Sequence, residues 1–359
     1  MMMWRVAMKI INKIVTIIMI TIMITSIRTN FNHNMNRAGA QVIEGKPVKV
    51  GVLLHRFDDA YISLIRENLE EIQKENEGKV EFSFFDGKEN QDIQNKTINT
   101  LLKQKEIDLL LLNLVDTGST KEAINKIKEN NIPVILFNRE PIDIEAVKSY
   151  TKAYFVGTNA EQAGILQGKI LVNTWNTNKT AIDKNRDNIM QYIMLMGQRN
   201  NLEAVARTKY SIATISGAGI KTQEIATKVC NWEQAAAKEA TESLLLKYGD
   251  KIEAIIANND SMAIGAIEAL QKHGYNNGDK TNSIVVVGVD AIPEAQDLIK
   301  KGFMTGTVIQ DAPAMAKAIY TVGMNLVYNK KPLEGTEYKF DETGVAIRIP
   351  YKEYIQDKN

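Results

Sequence analysis

Short apolar runs alternate with longer stretches of mixed character along the chain from Val48 onward. The run VKVGVLLH at residues 48–55 is continuous enough for a strand buried on both faces, and residues 62–74 carry apolar side chains at helical spacing. The alternation continues through VEFSFF, DLLLLNLVD and IPVILFN, with helical spacing near residues 93–104 and 121–130. Strands that alternate with helices in this way predict a parallel α/β sheet whose helices are the crossovers.

A second series of the same kind follows AYFVGTN at residues 153–159. Its strands are QYIMLMG, EAIIANND and SIVVVGVD, and its predicted helices cover residues 160–174, 232–248, 261–273 and 293–301. Two similar series in tandem predict two lobes, in agreement with a length of 359 residues, which is more than one core usually organises. Gly and Thr in FVGTN and MTGTVIQD suit points where the chain crosses between lobes.

Polar side chains recur where the predicted strands end. In an open α/β sheet, ligands bind outside the carboxyl ends of the strands. Here those ends are HRFDDAY, LFNREP, GQRNNLEAVAR, ANND, GVD and VIQD. Turn formation and helix capping are the simpler explanation for any one of them, because Asn and Asp favour both. The recurrence after six strands favours a polar ligand site at these ends.

Composition narrows the class of ligand. The 44 Lys and Arg residues nearly balance the 43 Asp and Glu residues, so the chain lacks the basic surplus that is typical of nucleic-acid-binding proteins. An uncharged or weakly charged ligand fits this balance. A single cysteine, Cys230, excludes an internal disulfide and any multi-cysteine metal site.

The first forty residues differ from the rest of the chain. Three basic residues precede the uncharged run IVTIIMITIMITSI at residues 14–27, whose length suits a signal peptide, whereas a spanning helix needs about 20 residues. We expect export, with the small-residue triplet at residues 38–40 as a cleavage site that lies unusually far beyond the run. An uncleaved anchor is the alternative. Residues 1–40 are therefore assigned to a signal peptide or an N-terminal membrane anchor.

Several longer motifs connect these features to a known family. The stretches NREP, YFVGT, IANNDSMAIGAIEAL, GVDAIPEA and AGIKT resemble those of the galactose/glucose-binding proteins of bacterial sugar ABC importers, and the similarity runs from about Val48 to Tyr351. The resemblance implies an α/β fold of the type I periplasmic-binding-protein class, with two Rossmann-like lobes joined by a three-segment hinge. It implies an N-terminal lobe of residues 46–157 plus 311–345 and a C-terminal lobe of residues 158–310 plus 346–359.

The resemblance also implies a function. Such a protein is exported to the periplasm or to the outer face of the cytoplasmic membrane. It captures D-galactose, D-glucose or methyl-galactoside and delivers the sugar to the membrane subunits of an ABC permease with their ATPase, without catalysis. A chemoreceptor is a further partner of some relatives. We expect a monomer that binds no nucleic acid.

The sugar-binding positions of that family map onto ten residues here. One aromatic side chain from each lobe stacks on the sugar, and the matching residues are Tyr61 and Trp232. The rim that binds the hydroxyl groups matches Asp59, Asn138, Asn201, Glu203, Arg207, Asn259, Asp290 and Gln310. Four positions depart from the commoner residues, with Tyr61 for Phe, Asn201 for His, Glu203 for Asp and Gln310 for Asn. These departures leave the affinity and the preference between glucose and galactose open.

The stretch DKNRDNIMQ at residues 183–191 begins like an EF-hand calcium loop, with oxygen-bearing side chains at every second position. The pattern then breaks, because Met194 stands where an EF-hand needs a bidentate Glu and Asn188 stands where it has Gly. In the family, a distant strand supplies the Glu. The resemblance implies a structural Ca²⁺ held by Asp183, Asn185, Asp187, the backbone carbonyl of Ile189, Gln191 and Glu253. A solvated polar loop is the alternative.

Three other functions share some of these features. The same two-lobe core is the effector domain of regulators related to the lactose repressor, but these begin with a helix-turn-helix, where this chain has its apolar segment. A sugar-transforming enzyme would use Asp59, Glu203 and Asp290 as acid and base. Clustered carboxylates also bind hydroxyl groups, however, and the family has no catalysis. A protein that binds another hexose or a pentose is the third alternative.

Overall fold

The computed structural model describes residues 46–356, and within this range the chain forms two lobes, each built on a six-stranded sheet. The arrangement confirms the predicted α/β class with two Rossmann-like lobes. No helix in the described range is both long enough and apolar enough to cross a membrane. The predicted signal peptide or anchor at residues 1–40 lies outside the described residues.

The N-terminal lobe contains six strands and five α-helices within the described range, and a short 3₁₀ turn at Thr117–Ser119 precedes α3. In chain order its elements are β1 (Val48–Leu54), α1 (Ala60–Glu75), β2 (Val80–Asp86), α2 (Gln91–Gln104), β3 (Leu109–Leu112), α3 (Thr120–Glu129), β4 (Val134–Phe137), α4 (Ile144–Lys148), β5 (Ala153–Thr158), and later α10 (Ala312–Val327) and β11 (Ala346–Ile349).

The C-terminal lobe has the same number of strands and of α-helices in the described range, with 3₁₀ turns at Gly249–Lys251 and Lys280–Asn282. In chain order its elements are α5 (Ala160–Ile182), β6 (Ile189–Met196), α6 (Leu202–Gly217), β7 (Lys221–Val229), α7 (Gln234–Tyr248), β8 (Ala254–Ala257), α8 (Asp260–Lys272), β9 (Val285–Val287), α9 (Pro293–Lys300), β10 (Gly306–Ile309) and β12 (Lys352–Ile355).

Both sheets follow one strand order. It is β2-β1-β3-β4-β5-β11 in the N-terminal lobe and β7-β6-β8-β9-β10-β12 in the C-terminal lobe. The described strand pairs are parallel except for β10 with β12, which are antiparallel. In each lobe the winding reverses beside the first strand. The carboxyl ends of β1 and β6 therefore lie at the switch points where α/β proteins bind ligands.

Apolar strand residues form the cores. In the C-terminal lobe, Ile193 and Leu195 of β6 pack in one buried cluster with residues of α7 and α8. Their neighbours Tyr192 and Met194 pack in a second cluster with residues of α5 and α6. Because successive strand residues point to opposite faces, helices cover this sheet on both sides. A strand that is covered on both sides needs apolar side chains at successive positions, which explains the continuous apolar run of β6 in the sequence.

Polar residues at the strand ends begin the helices. The side chains of Asp59, Asn201 and Asn259 accept hydrogen bonds from backbone N–H groups three residues later, at 2.9, 2.9 and 3.0 Å. Each bond satisfies an N–H group of the first helical turn that has no carbonyl partner within the helix. Asp59, Asn201 and Asn259 therefore do cap helices, as one of the two explanations for polar strand ends requires. The same hydrogen bonds hold these side chains at the carboxyl ends of the strands.

The chain crosses between the lobes three times. The crossings follow β5 at Thr158, β10 at Gln310, and β11 at Pro350 and Tyr351. The third crossing shows that the predicted lobe boundary at 345/346 is wrong, because Ala346–Ile349 pairs with β5 of the N-terminal sheet. The charged Arg348 interrupts β11, so this strand lacks the continuous apolar run by which equally short strands such as β3 are predicted.

Candidate functional site

A cavity lies between the lobes at the carboxyl ends of the strands, and we call it the interlobe cleft. It is lined by all ten predicted sugar-binding residues, together with His55, Ile62 and Arg139. Asp59 and Tyr61 follow β1, Asn138 follows β4, and Gln310 lies at the second crossing. The C-terminal lobe supplies the other six. A ligand in this cleft would therefore contact both lobes at once.

The two predicted aromatic walls come from opposite lobes. Tyr61 of the N-terminal lobe is only 5% exposed, and its hydroxyl lies 3.7 Å from the Met315 sulfur. Trp232 of the C-terminal lobe has a left-handed backbone, with φ at 68°. Its ring packs directly on Gly197, where a Cβ atom would lie 2.3 Å from the nearest ring atom. Only glycine at position 197 allows the indole to take this place.

Arg207 is the more deeply buried of the two arginines that line the cleft, with 4% exposure. Its Nη2 donates hydrogen bonds to Gln310 Oε1 and to the Tyr351 hydroxyl, both at 2.9 Å. Its Nη1 lies 4.0 Å from the Asp290 carboxylate. Its Nε is buried without a hydrogen-bond partner in the described structure. A guanidinium held in this way keeps one donor for a polar group of a ligand.

Glu203 reaches across the cleft. Its Oε1 accepts a hydrogen bond at 2.7 Å from the backbone N–H of Glu140 in the opposite lobe. Its Oε2 is buried and has no partner in the described structure, and burial raises the pKa of the Glu203 carboxyl. Buried polar atoms are normally hydrogen-bonded, so this oxygen and the Arg207 Nε are the two atoms that a ligand hydroxyl would satisfy best.

Asp290 is held in a strained backbone conformation, with φ at 124°, and Ala291 beside it has φ at 58°. The buried Asp260 supports this turn, because its Oδ2 accepts a hydrogen bond from Ile292 N at 3.0 Å while its Oδ1 accepts one from the Thr307 hydroxyl at 2.5 Å. Burial holds the pKa of Asp290 well above its usual range. Such strain persists only where neighbouring contacts impose it, often at binding sites.

His55 and Asn113 belong to the cleft region but were missed from the sequence. Asn113 Oδ1 lies 2.7 Å from His55 Nδ1, which therefore carries the ring hydrogen, and Nε2 lies 3.8 Å from the Asp59 carboxylate. Asn113 also donates to Asn138 Oδ1 at 3.1 Å and so orients that amide. Burial lowers the pKa of His55 to about 4, so the ring is neutral at neutral pH. The available signal was a polar residue at the end of one apolar run, His55, and inside another, Asn113.

Side chains also join the lobes at the mouth of the cleft. Arg56 of the N-terminal lobe forms an ion pair with Glu233 of the C-terminal lobe. Arg139 donates a hydrogen bond to Gln198 Oε1 at 2.7 Å, again from one lobe to the other. With the contact between Glu140 and Glu203, these bonds make the structure a closed arrangement of the two lobes.

Comparison with known proteins places this geometry in a family. Residues 50–331 match the model of the periplasmic binding protein domain. The chain belongs to the periplasmic binding protein family. It is 36% identical over 306 residues to the D-galactose/methyl-galactoside binding periplasmic protein MglB of Haemophilus influenzae, covering 84% of this chain and 88% of that protein. It is 28% identical to a putative rhizopine-binding protein of Rhizobium meliloti, covering 77% and 84% of the two chains.

Solved structures show the same fold. An ABC transporter solute binding protein from Bacillus halodurans with bound myo-inositol has a TM-score of 0.71 at 23% identity, covering 87% of this chain and 96% of that chain. A second one, from Actinobacillus succinogenes with bound D-allose, has a TM-score of 0.71 at 21% identity, covering 87% and 98%. These likenesses establish the fold alone. The predicted family is confirmed, and membership implies an extracytoplasmic location.

The predicted calcium loop leads into the first residues of β6 and so lies at the opposite end of the sheet from the cleft. The structure brings the distant Glu253 beside it, where Oε1 accepts from Lys184 N at 2.9 Å and Oε2 accepts from Gln191 N at 3.0 Å. Asn188 has φ at 62°, the left-handed conformation that glycine would otherwise supply. Burial raises the pKa of Glu253 to about 7.

The oxygen atoms of the loop only partly satisfy one another. The Asp187 carboxylate accepts hydrogen bonds from the side chains of Asn185 and Gln191, at 3.0 and 2.7 Å. Asp183 Oδ1 and Gln191 Oε1 are buried without partners in the described structure. Among residues 46–356, no three His, Cys, Asp or Glu side chains converge closely enough to hold a metal by themselves. The donor set, which adds amides and a carbonyl to the carboxylates, nevertheless fits a hard cation.

Proposed function

We propose that this protein is the extracytoplasmic sugar-binding component of an ABC importer. The observation that carries the proposal is the meeting of one aromatic side chain from each lobe with a rim of amides, carboxylates and the Arg207 guanidinium in the interlobe cleft. A pyranose has two apolar ring faces and a belt of hydroxyl groups, and this cleft offers matching surfaces for both.

The sugars we propose are D-galactose, D-glucose and methyl-galactoside. The name of the Haemophilus influenzae relative supports a galactose-type ligand. Within the cleft, the Arg207 Nε donates to a hydroxyl or ring oxygen, and the Glu203 Oε2 accepts from a hydroxyl. Glu203 is longer than the Asp that is usual in the resembling family, and the extra reach is used by the bond to Glu140 N in the other lobe. The sugar preference of this cleft therefore depends on a residue that also joins the lobes.

The bound sugar closes the protein by contacting both lobes. Contacts that exist only in the closed arrangement shift the population towards it. The closed form presents one joined surface, which is recognised by the membrane subunits of an ABC permease that works with an ATPase. A chemoreceptor would use the same difference between open and closed forms.

Binding proceeds without catalysis in this account. The carboxylates of Asp59, Glu203 and Asp290 serve as hydroxyl acceptors, and Asp59 is already engaged in capping α1. The full chain is incubated with isotope-labelled galactose, and the sugar is recovered and analysed by chromatography. We expect one bound sugar per chain, recovered unchanged. A labelled product that increases with time would contradict the proposal.

A structural Ca²⁺ at the loop of residues 183–191 is a second part of the proposal. Asp183, Asn185, Asp187, Gln191 and Glu253 would supply side-chain oxygens, and Ile189 its carbonyl. The two buried oxygens without partners, on Asp183 and Gln191, support this assignment. The ion would offset the mutual repulsion of the carboxylates and hold the loop against β8.

A further inference from the structure

Tyr351 lies at the third crossing, between β11 and β12. Its side chain is 4% exposed, and no motif in the sequence assigns it to the ligand site. The ring packs against the guanidinium of Arg207, with 5.9 Å between the Arg207 Cζ and the ring centroid. Tyr351 is not among the residues that line the interlobe cleft. Tyr351 therefore packs against Arg207, which lines the cleft, but does not line the cleft itself.

The hydroxyl of Tyr351 meets the other two crossings as well. It lies 2.8 Å from the hydroxyl of Thr158 at the first crossing and 3.3 Å from Oε1 of Gln310 at the second. It also accepts a hydrogen bond from Arg207 Nη2 at 2.9 Å. Burial raises the pKa of Tyr351, so the hydroxyl keeps its proton at neutral pH.

These three contacts equal the number of hydrogen bonds that one tyrosine hydroxyl can form. A tyrosine hydroxyl has one hydrogen to donate and two lone pairs to accept with. It accepts from Arg207 and donates its one hydrogen to Gln310, so its second lone pair accepts from the Thr158 hydroxyl. A single oxygen atom thereby joins three chain segments that must all change their backbone angles when the lobes open.

We propose that Tyr351 is a positioning residue that links the sugar-binding side chains of Arg207 and Gln310 to all three interlobe crossings. The inference rests on the sugar-binding function proposed above. A sugar that orders Arg207 and Gln310 stabilises the bonds of the Tyr351 hydroxyl, and those bonds hold the crossings in their closed geometry. Conversely, opening of the lobes pulls the hydroxyl away from the two side chains and loosens the sugar site.

The test compares Tyr351→Phe with a matched control, Tyr150→Phe, in the full chain. Tyr150 is 7% exposed, and its hydroxyl donates to Ile132 O at 3.0 Å within the N-terminal lobe. Both residues precede their strands, β5 and β4, and so lie at the opposite end of the sheet from the crossings. Both substitutions remove one buried hydroxyl and keep the ring. Any loss specific to Tyr351→Phe therefore reports the position of the hydroxyl rather than the general cost of losing one.

The first measurement is hydrogen exchange of the sugar-free protein. We expect Tyr351→Phe to accelerate exchange at all three crossings, around residues 158, 310 and 351, whereas Tyr150→Phe leaves them unchanged. Acceleration confined to the segment around Tyr351 would mean that the hydroxyl contributes only local packing, and would overturn the proposal. Unchanged exchange at all three crossings would overturn it as well.

The second measurement is galactose affinity and kinetics. Loss of the hydroxyl leaves buried partners unsatisfied, so we expect the dissociation constant to rise between about fivefold and a hundredfold, mainly through faster release. A wild-type dissociation constant in Tyr351→Phe would overturn the link to the sugar site. If the wild-type protein bound no sugar, the proposed function would fail instead. The exchange measurement, which needs no sugar, would still decide whether the hydroxyl joins the crossings.

Discussion

Arg56 of the N-terminal lobe forms an ion pair with Glu233 of the C-terminal lobe, and Glu233 directly follows Trp232 in the chain. Arg56 also donates to Asp58 Oδ1 at 2.7 Å within its own lobe. The side chains of Arg56 and Glu233 are 15% and 39% exposed, so the pair lies at the mouth of the cleft rather than inside it. A charged contact between the lobes therefore holds the loop that carries an aromatic wall of the sugar site.

Because this ion pair joins the lobes, we expect it to stabilise the closed arrangement to an extent that depends on salt concentration. Glu233→Gln should weaken galactose binding by a few-fold, because a partly exposed ion pair is worth less than about 1 kcal/mol. Most of the change should be faster dissociation, and raising the ionic strength should affect the wild type more than the variant. Stopped-flow kinetics at several salt concentrations measure both effects.

Glu242→Gln is the matched control, because the partner of Glu242 is Lys272 in the same lobe. It should keep the wild-type kinetics and salt dependence. If Glu233→Gln retained the full salt dependence of the wild type, the ion pair would have no part in closure.

Trp232 is the aromatic wall that fluorescence can follow. Trp232→Ala should weaken sugar binding by about 1 to 3 kcal/mol, from lost stacking and burial. Galactose should change the tryptophan emission of the wild type, and this change should disappear in Trp232→Ala. Trp175→Phe, which alters a core tryptophan of α5 with 3% exposure, should retain the response. Unchanged affinity in Trp232→Ala would remove this residue from the site.

How much of the fold follows from sequence depends on the element. Long apolar runs such as that of β1 and regularly spaced helices such as α8 follow directly from their hydrophobic period. The predicted helix over residues 160–174 instead continues to Ile182, past a non-helical φ of −132° at Asn178. Helix α6 was missed, because its first turn carries the polar residues that were assigned to a strand end. Local pattern cannot separate a strand end from a helix start when both use the same residues.

The site shows a similar limit. Its ten residues could be assigned because they match family motifs, and the structure brings all ten to one cleft. The pairing of His55 with Asn113 could not be predicted, because the two residues are 58 positions apart and meet only when β1 and β3 pair. Contacts behind the ligand site depend on strand order, which the hydrophobic pattern does not encode.

We expect His55 to make the free energy of unfolding depend on pH. Burial lowers its pKa to about 4, from an ordinary value of 6.5 in the unfolded chain, against the opposing charge of Asp59 and with the cations Arg139 and Arg56 nearby. Between these two pH values the unfolded state binds the extra proton. This residue therefore makes stability fall as the pH drops from about 6.5 towards 4, at up to about 1.4 kcal/mol per pH unit.

The comparison variant is His55→Gln, which cannot take up that proton. Thermal unfolding of both proteins between pH 7 and pH 4.5 should show a smaller acid-induced loss of stability in the variant. Other buried carboxyls titrate in the same range but are common to both proteins, so the difference isolates His55. Parallel stability curves would mean that His55 is protonated equally in the folded and unfolded states.

Calcium should stabilise the folded C-terminal lobe. After removal of bound metal, added Ca²⁺ should raise the melting temperature, since a ligand at 100 times its dissociation constant adds about 2.7 kcal/mol to the free energy of unfolding. Glu253→Gln should lose most of this gain and keep its sugar affinity, because the two sites share no residue. Glu224→Gln, on the neighbouring strand β7, should keep the gain. Equal melting temperatures with calcium and with chelator would rule out the site.

The most direct test of the account is a calorimetric titration of the wild-type protein with D-galactose, D-glucose, D-ribose and myo-inositol under identical conditions. We predict saturable binding of one sugar per chain, with D-galactose or D-glucose tighter than the other two. A protein that is folded by circular dichroism but gives no binding heat with any of them would contradict the central claim that the interlobe cleft is a sugar site.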